Sequence, residues 1–329
     1  MSEHLFAQYV RILGKGKTGS RSLSYQEAYS AMTMILRGEA EDVQLGAFLM
    51  LLRVKEESHE ELAGFVQAVR DSLQAPAIKV DLDWSSYAGK RRQLPWYLLA
   101  ALALADSGLR VFMHGAAGHT AERIYSEQVL NSIGEAPAAS WQEVEHKLSE
   151  RNFAYLPLSN LSPPLQRMID LRALFGLRSP VHTLSRLLNP LAAPYSVQSI
   201  FHPAYADNHQ QAAALLGQAH AVVFKGEAGE AERKPEALCR VKTVHEGVLS
   251  ETEWPRMLEG RQDKFDSLNT DDLLEAWRNN KLDDYGLCAI TGTIAICLQL
   301  RQPNRSQQDC LNDAATIWQQ RNRQRLGKD

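Results

Sequence analysis

The densest chemistry in the chain lies in the stretch Ser86-Tyr87-Ala88-Gly89-Lys90-Arg91-Arg92-Gln93-Leu94. It follows a strand-like run, Ile78 to Trp84, and precedes an apolar run of helical character, Leu94 to Ala105. A turn between a strand and a helix is the natural anion site of an α/β fold, because backbone N–H groups and the helix dipole both point at it. An enzyme that encloses a phosphate places several glycines there, so that the main chain can close around it. This turn keeps one glycine and adds three consecutive cations, Lys90, Arg91 and Arg92. That composition attracts phosphate without enclosing it. A second basic loop reads Gly14-Lys15-Gly16-Lys17-Thr18-Gly19-Ser20-Arg21. Gly16-Lys17-Thr18 imitates the end of a phosphate-binding P-loop, but the first glycine of that motif would fall at Arg11, and a helical pattern rather than a strand precedes it. A flexible loop offering Lys15, Lys17 and Arg21 to phosphates is the better reading.

Other residues could do chemistry singly. His114 and His119 bracket a glycine turn after a strand, where a histidine bonded to backbone or phosphate is expected over a catalytic one. Glu227, Glu230 and Glu232 read as a solvated acidic loop rather than a metal site. Tyr87 and Trp96 flank the cations and either stack on exposed bases or, the plainer expectation, pack internally. Arg321, Arg323, Arg325 and Lys328 read as a solvated helix end. Cys239, Cys288, Cys297 and Cys310 form no C-x-x-C pair, so reduced core thiols are expected and zinc is not.

The 329 residues carry 36 Lys and Arg against 39 Asp and Glu, a formal net charge of -3. The charge is segregated. No acid occurs in residues 4–26, 84–105, 107–121 or 171–206, which hold Lys15, Lys17, Arg21, Lys90, Arg91, Arg92, Arg172, Arg178 and Arg186 together with Arg11 and Arg110. Brought together by folding, these stretches would form a basic groove on an acidic body. No apolar run reaches the ~18–20 residues of a membrane span. The first ten residues lack the parts of a signal peptide, so a cytoplasmic protein is expected.

Around these residues, helical spacing covers 3–13, 24–36, 42–54 and 58–73, with Ser24 and Glu27 placed as a capping box. From about residue 77 strands alternate with helices. Strands are expected at Ile78–Trp84, Leu109–Met113, Phe153–Leu156, Tyr195–Ile200, Ala221–Phe224 and Ala237–Val241. Helices are expected at Leu94–Ala105, Ala121–Ile133, Trp141–Ser149, Leu165–Phe175, Val181–Leu188, Ala204–Leu216, Asp271–Asn279, Asp284–Leu300 and Gln307–Arg325. The expected fold is α/β: a small all-helical domain over residues 1–75, joined by helices from about 160–190, and a larger α/β domain over 76–329 around a mixed, largely parallel sheet.

Ile35-Leu36-Arg37-Gly38-Glu39, Gln44 to Lys55 and Glu60-Glu61-Leu62-Ala63-Gly64 resemble the N-terminal helical domain of anthranilate phosphoribosyltransferase. His114-Gly115, Val129 to Gly134, Leu171 to Arg178 and Leu187-Leu188-Asn189-Pro190 resemble further elements of that family in the same order. The resemblance implies a cleft between the two domains and a homodimer through the helical one. It also implies that Arg172 stands where the family's arginine contacts anthranilate. The family's phosphoribosyl-diphosphate motifs do not carry over. Its Gly-Thr-Gly-Gly-Asp loop is Tyr87-Ala88-Gly89-Lys90-Arg91-Arg92 here, its Lys-His-Gly-Asn-Arg is Met113-His114-Gly115-Ala116-Ala117, and the region of its Asp-Glu magnesium pair reads Gly226 to Glu232 without that pair. Transfer from a magnesium diphosphate needs that charge neutralisation. The pattern resembles the YbiB-type branch of the fold, which binds nucleic acid without known catalysis. The expected function is sequence-independent binding of DNA or RNA through Lys15, Lys17, Arg21, Lys90, Arg91, Arg92, His114, Arg172, Arg178 and Arg186, with no catalytic residue, cofactor or metal. The alternative is a phosphoribosyltransferase with a changed acceptor, using phosphoribosyl diphosphate and magnesium.

Overall fold

The computed structural model describes residues 2–260 and 267–327. Four helices open the chain: α1 (Ala7–Gly14), α2 (Tyr25–Leu36), α3 (Asp42–Lys55) and α4 (His59–Ser72). Ser24 and Ser58 each close a capping box, with Glu27 and Glu61 respectively. Glu61 also accepts the amide of Leu23 at 2.8 Å and pairs with Lys55 at 2.7 Å, so one buried carboxylate ties three segments of the lobe. The lobe fills its interior with Phe6, Phe48 and Phe65, packed edge to face.

A seven-stranded sheet follows. Its strands are β1 (Leu82–Ser86), β2 (Val111–Gly115), β3 (Phe153–Pro157), β4 (Tyr195–Ile200), β5 (His220–Lys225), β6 (Cys239–His245) and β7 (Val248–Trp254), in the order β3-β2-β1-β4-β5-β6-β7. β1 to β5 run parallel; β6 pairs antiparallel with β5, and β7 antiparallel with β6. The parallel strands are buried on both faces, as crossover helices require. One face carries α5 (Trp96–Asp106) under α14 (Asp284–Arg301), flanked by α13 (Asp271–Asn279) and α15 (Gln307–Gln320). α5 is buried from Trp96 to Ala105, which is why its sequence is apolar all round rather than striped. The other face carries α7 (Trp141–Arg151) and α12 (Ala206–Leu215), with α4 of the lobe against α12. α6 (Ser126–Ser132) and the short helices α8 (Leu158–Leu161), α9 (Pro163–Asp170), α10 (Arg172–Phe175) and α11 (Val181–Leu184) complete the chain. Among the described residues no helix is long and apolar enough to cross a membrane.

The expected fold class is the observed one, with local differences. β7 has no counterpart in the expected strands. Six of its seven residues are exposed, so no apolar alternation marks it, and the turn before it uses Glu246 and Gly247 at positive φ in place of a plain Asn-Gly signal. β1 begins at Leu82 rather than Ile78. The segment expected as one helix over Leu165–Phe175 is two, broken at Leu171. The last helix stops at Gln320 because Arg321 turns inward. Its guanidinium lies 3.5 Å from the Trp318 ring centre and donates to the carbonyls of Ala276 and Trp277. Arg325 pairs with Asp106 and Glu135. The expected solvated basic tail is therefore, at Arg321 and Arg325, a clasp onto the body; Lys328 lies outside the described residues.

Candidate functional site

The strand order reverses between β1 and β4, and the segments leaving the carboxyl ends of β1, β2, β4 and β5 meet there. This is the position where open α/β sheets bind ligands. The turn after β1 has the anion-binding geometry its sequence suggests, but the chain supplies its own anion. Glu230 Oε1 accepts from the amides of Ala88 at 2.7 Å and Gly89 at 2.6 Å. Glu232 Oε2 accepts from the amide of Tyr97 at 2.9 Å, in the first turn of α5, where the helix dipole favours a negative charge. Its other oxygen is 2.5 Å from Lys90 Nζ. Arg123 donates to the carbonyls of Ala88, Gly89 and Ala228, stitching the turn after β1 to the loop after β5, and Arg186 donates to those of Ser199 and Gly229, tying that loop to β4. Gly89 takes a positive φ, and a Cβ there would meet the Tyr125 ring at 2.8 Å, so the turn cannot swell. Burial pushes the carboxyls of Glu230 and Glu232 up from the ordinary carboxylate range, Glu232 to about 7 against the opposing pull of Lys90.

These positions correct several expectations. Glu230 and Glu232 are buried structural anions, not a solvated acidic loop. Lys90 is wholly buried and neutralised, so it offers nothing to an external phosphate. His114 is buried, bonded to Tyr87 Oη at 2.7 Å and 3.4 Å from Asp83, because it lies on a strand covered on both faces. Arg186 is buried and its donors are taken by carbonyls. Arg21 grips Glu27 with two contacts of 2.6 Å. Tyr87 and Trp96, 1% and 3% exposed, pack internally and cannot meet a base.

Other expected cations are accessible. Arg91 and Arg92 line a cleft of about 490 Å³ together with Arg123, Lys225 and Lys234. Arg91 pairs with Glu122, and Lys234 with Glu236 at 2.9 Å, whereas Arg92 and Lys225 have no carboxylate partner among the described residues. Arg178 lines a smaller cavity of about 140 Å³ with Arg53, Arg186 and His182. Burial and the neighbouring arginines hold the Arg178 guanidinium down at about 10, and burial lowers His119 to about 3 and His182 to about 2. Arg172 is half-buried nearby, its Nε without a hydrogen-bond partner among the described residues. Lys15 and Lys17 are exposed on the loop after α1 and line neither cavity. The single groove expected of these cations is thus divided: Arg91 and Arg92 line one cavity, Arg178 and the buried Arg186 line its neighbour, and Lys15 and Lys17 line neither. Sequence reasoning missed Arg53, Arg123, Lys225 and Lys234. Three of these sit beside acids in sequence, Glu122, Glu227 and Glu236, and a search for acid-free stretches passes over them.

The residues do not fit a magnesium diphosphate. The amides that would hold the diphosphate hold Glu230, and no group of three His, Cys, Asp or Glu side chains among the described residues is placed to hold a metal. Two family models match the chain, the helical bundle domain of a glycosyl transferase family over residues 7–73 and the α/β domain of that family over residues 97–264. The chain belongs to that glycosyl transferase family. It is 27% identical over 245 residues to the uncharacterized protein YbiB of Escherichia coli (strain K12), covering 73% of this chain and 76% of that one. It is likewise 27% identical over 245 residues to anthranilate phosphoribosyltransferase of Bacillus caldotenax, covering 73% of this chain and 99% of that one. Anthranilate phosphoribosyltransferase of Thermus thermophilus has the same fold, with a TM-score of 0.78 at 20% identity over 96% of this chain and 94% of that one.

Proposed function

We propose that the chain binds nucleic acid, without sequence preference, on a phosphoribosyltransferase scaffold whose diphosphate position is filled by its own Glu230. The observation that carries this reading is the pair of bonds from Ala88 and Gly89 to Glu230, beside a cleft whose rim holds Arg91, Arg92, Arg123, Lys225 and Lys234. Arg92 and Lys225, exposed and without a carboxylate partner among the described residues, suit a polyanion, and each phosphate neutralised adds ~0.9 to the salt slope for duplex and ~0.7 for single strands. Exposed Val43 on α3 and Leu174 on α10 lie on adjoining elements, with Gly46 against Phe175, and support a second copy of the chain as a partner. Binding of labelled DNA and RNA across a salt series tests the reading; affinity that is absent or indifferent to salt overturns it.

A second reading, transfer of a phosphoribosyl group to a changed acceptor, is favoured by the likeness to anthranilate phosphoribosyltransferase and by the unpartnered Arg172 Nε in the region where the resemblance places acceptor recognition. Incubation with phosphoribosyl diphosphate, magnesium and anthranilate separates the two. Release of diphosphate supports transfer, and its absence beside salt-dependent nucleic-acid binding supports the first reading.

A further inference from the structure

Phe201 follows directly on the C-terminal end of β4 and is 48% exposed. It forms a wall of both cavities described above, with Arg92, Arg123 and Lys225 on one side and Arg53 and Arg178 on the other. Its ring meets His202 edge to face at 4.8 Å, and the His202 ring lies 6.4 Å from that of Tyr205. The main chain beside it packs against the loop after β5, where the Gly226 amide donates to the Ile200 carbonyl at 3.2 Å. Gly229 approaches so closely that a Cβ there would come within 3.3 Å of the Phe201 Cβ. An exposed, anchored aromatic ring between two groups of cations is an arrangement with two complementary requirements: a flat apolar surface for the ring and anionic groups to either side.

Resting on the reading above, we propose that the preferred ligand of this cleft is a single strand, with one base laid on Phe201 and the flanking phosphates on the two groups of arginines and lysines. Only an unpaired strand satisfies both requirements at once, since a duplex hides its base faces and presents phosphates alone. Phenylalanine has no hydrogen-bonding group, so it accepts any base, in keeping with binding that does not read sequence. Tyr87 and Trp96 pack internally, as the plainer expectation had it, and Phe201 has the exposure they lack.

The test is anisotropy of a labelled oligothymidylate of about 20 nucleotides, and of the duplex of the same length, against the wild type, Phe201→Ala and Phe201→Trp over a salt series. F201A is expected to bind the single strand about tenfold more weakly, with the duplex affinity and both salt slopes unchanged, because no charge is removed. F201W is expected to keep single-strand affinity, which separates loss of the ring from loss of the fold. Unchanged single-strand binding by F201A, or an equal loss on the duplex, overturns the base platform while leaving the salt-dependent groove in place. A wild type that binds neither ligand overturns the groove and this inference with it.

Discussion

Lys90 Nζ lies 2.5 Å from Glu232 Oε1, and neither side chain is exposed to solvent. The most basic turn in the sequence thus directs its first cation inward and its next two outward. A buried pair of this kind contributes little over an apolar pair of the same shape, but removing one partner strands the other charge, at a cost of about 3–5 kcal/mol. Lys90→Met is expected to destabilise the fold by that amount, and Lys90→Met with Glu232→Gln to restore most of it. Urea unfolding followed by circular dichroism measures both. A wild-type midpoint for the single variant would show that the pair does not exist in solution.

Glu230 makes a second prediction. Its two charge-assisted bonds to Ala88 and Gly89 are intramolecular substitutes for a bound anion. Glu230→Ala frees both amides beside Arg186, which already faces that carboxylate. The variant is expected to lose about 2–4 kcal/mol, since hydrogen bonds to charged groups contribute ~1.5–3 kcal/mol each and the two share one acceptor. Inorganic diphosphate at millimolar concentration is then expected to raise the Tm of Glu230→Ala and not that of the wild type, because only the variant has a vacant anion site that ligand binding can stabilise. Equal shifts in both proteins would mean that the diphosphate binds elsewhere.

How far the sequence led depended on what each residue's neighbours reveal. The helical lobe was legible because Ser24-Glu27 and the stripe Leu45, Phe48, Leu49, Leu52 state cap and core face in one short window. The parallel strands were legible as short apolar runs between helices. β7 was not, since Val248 to Glu253 faces water and its pairing is dictated by β6. At the site, the type of a cation was visible but its partner was not. Lys90 and Glu232 are 142 residues apart in the chain, and nothing near either one announces the other. Phe201 was silent for a related reason. An aromatic after a strand looks like core, and only the fold shows that β4 ends before it can be covered.

Arg92 tests the division between structural and available cations. It has no carboxylate partner among the described residues, unlike Arg91 beside it, which meets Glu122. Arg92→Ala is expected to leave stability within about 0.5 kcal/mol of wild type, as an exposed substitution should. It is also expected to lower the salt slope for DNA by about one phosphate contact, ~0.9 on a duplex. Arg21→Ala, whose guanidinium is held by Glu27, is expected to leave that slope unchanged. The same slope for Arg92→Ala and wild type would remove the cleft from the binding surface.

His182 gives the pH dependence. It is buried beside the His119 ring at 4.8 Å, faces Arg178 and Arg186, and is lowered to about 2 by burial first and by these neighbours second. In the unfolded chain its ordinary value is 6.5. The folded state therefore refuses a proton that the unfolded state accepts. Above pH 6.5 neither state carries it, and the histidine adds no pH dependence. As pH falls from 6.5 towards 2 the unfolded state is favoured by about 1.4 kcal/mol per pH unit. His182→Asn removes this one titration. The stability of the wild type relative to the variant is thus expected to be constant above about pH 7 and to fall by about 2 kcal/mol between there and pH 5, read from urea unfolding at each pH. A difference that stays flat through that range would mean that His182 takes up its proton in the folded state, and hence that the cavity it shares with Arg178 is open to water.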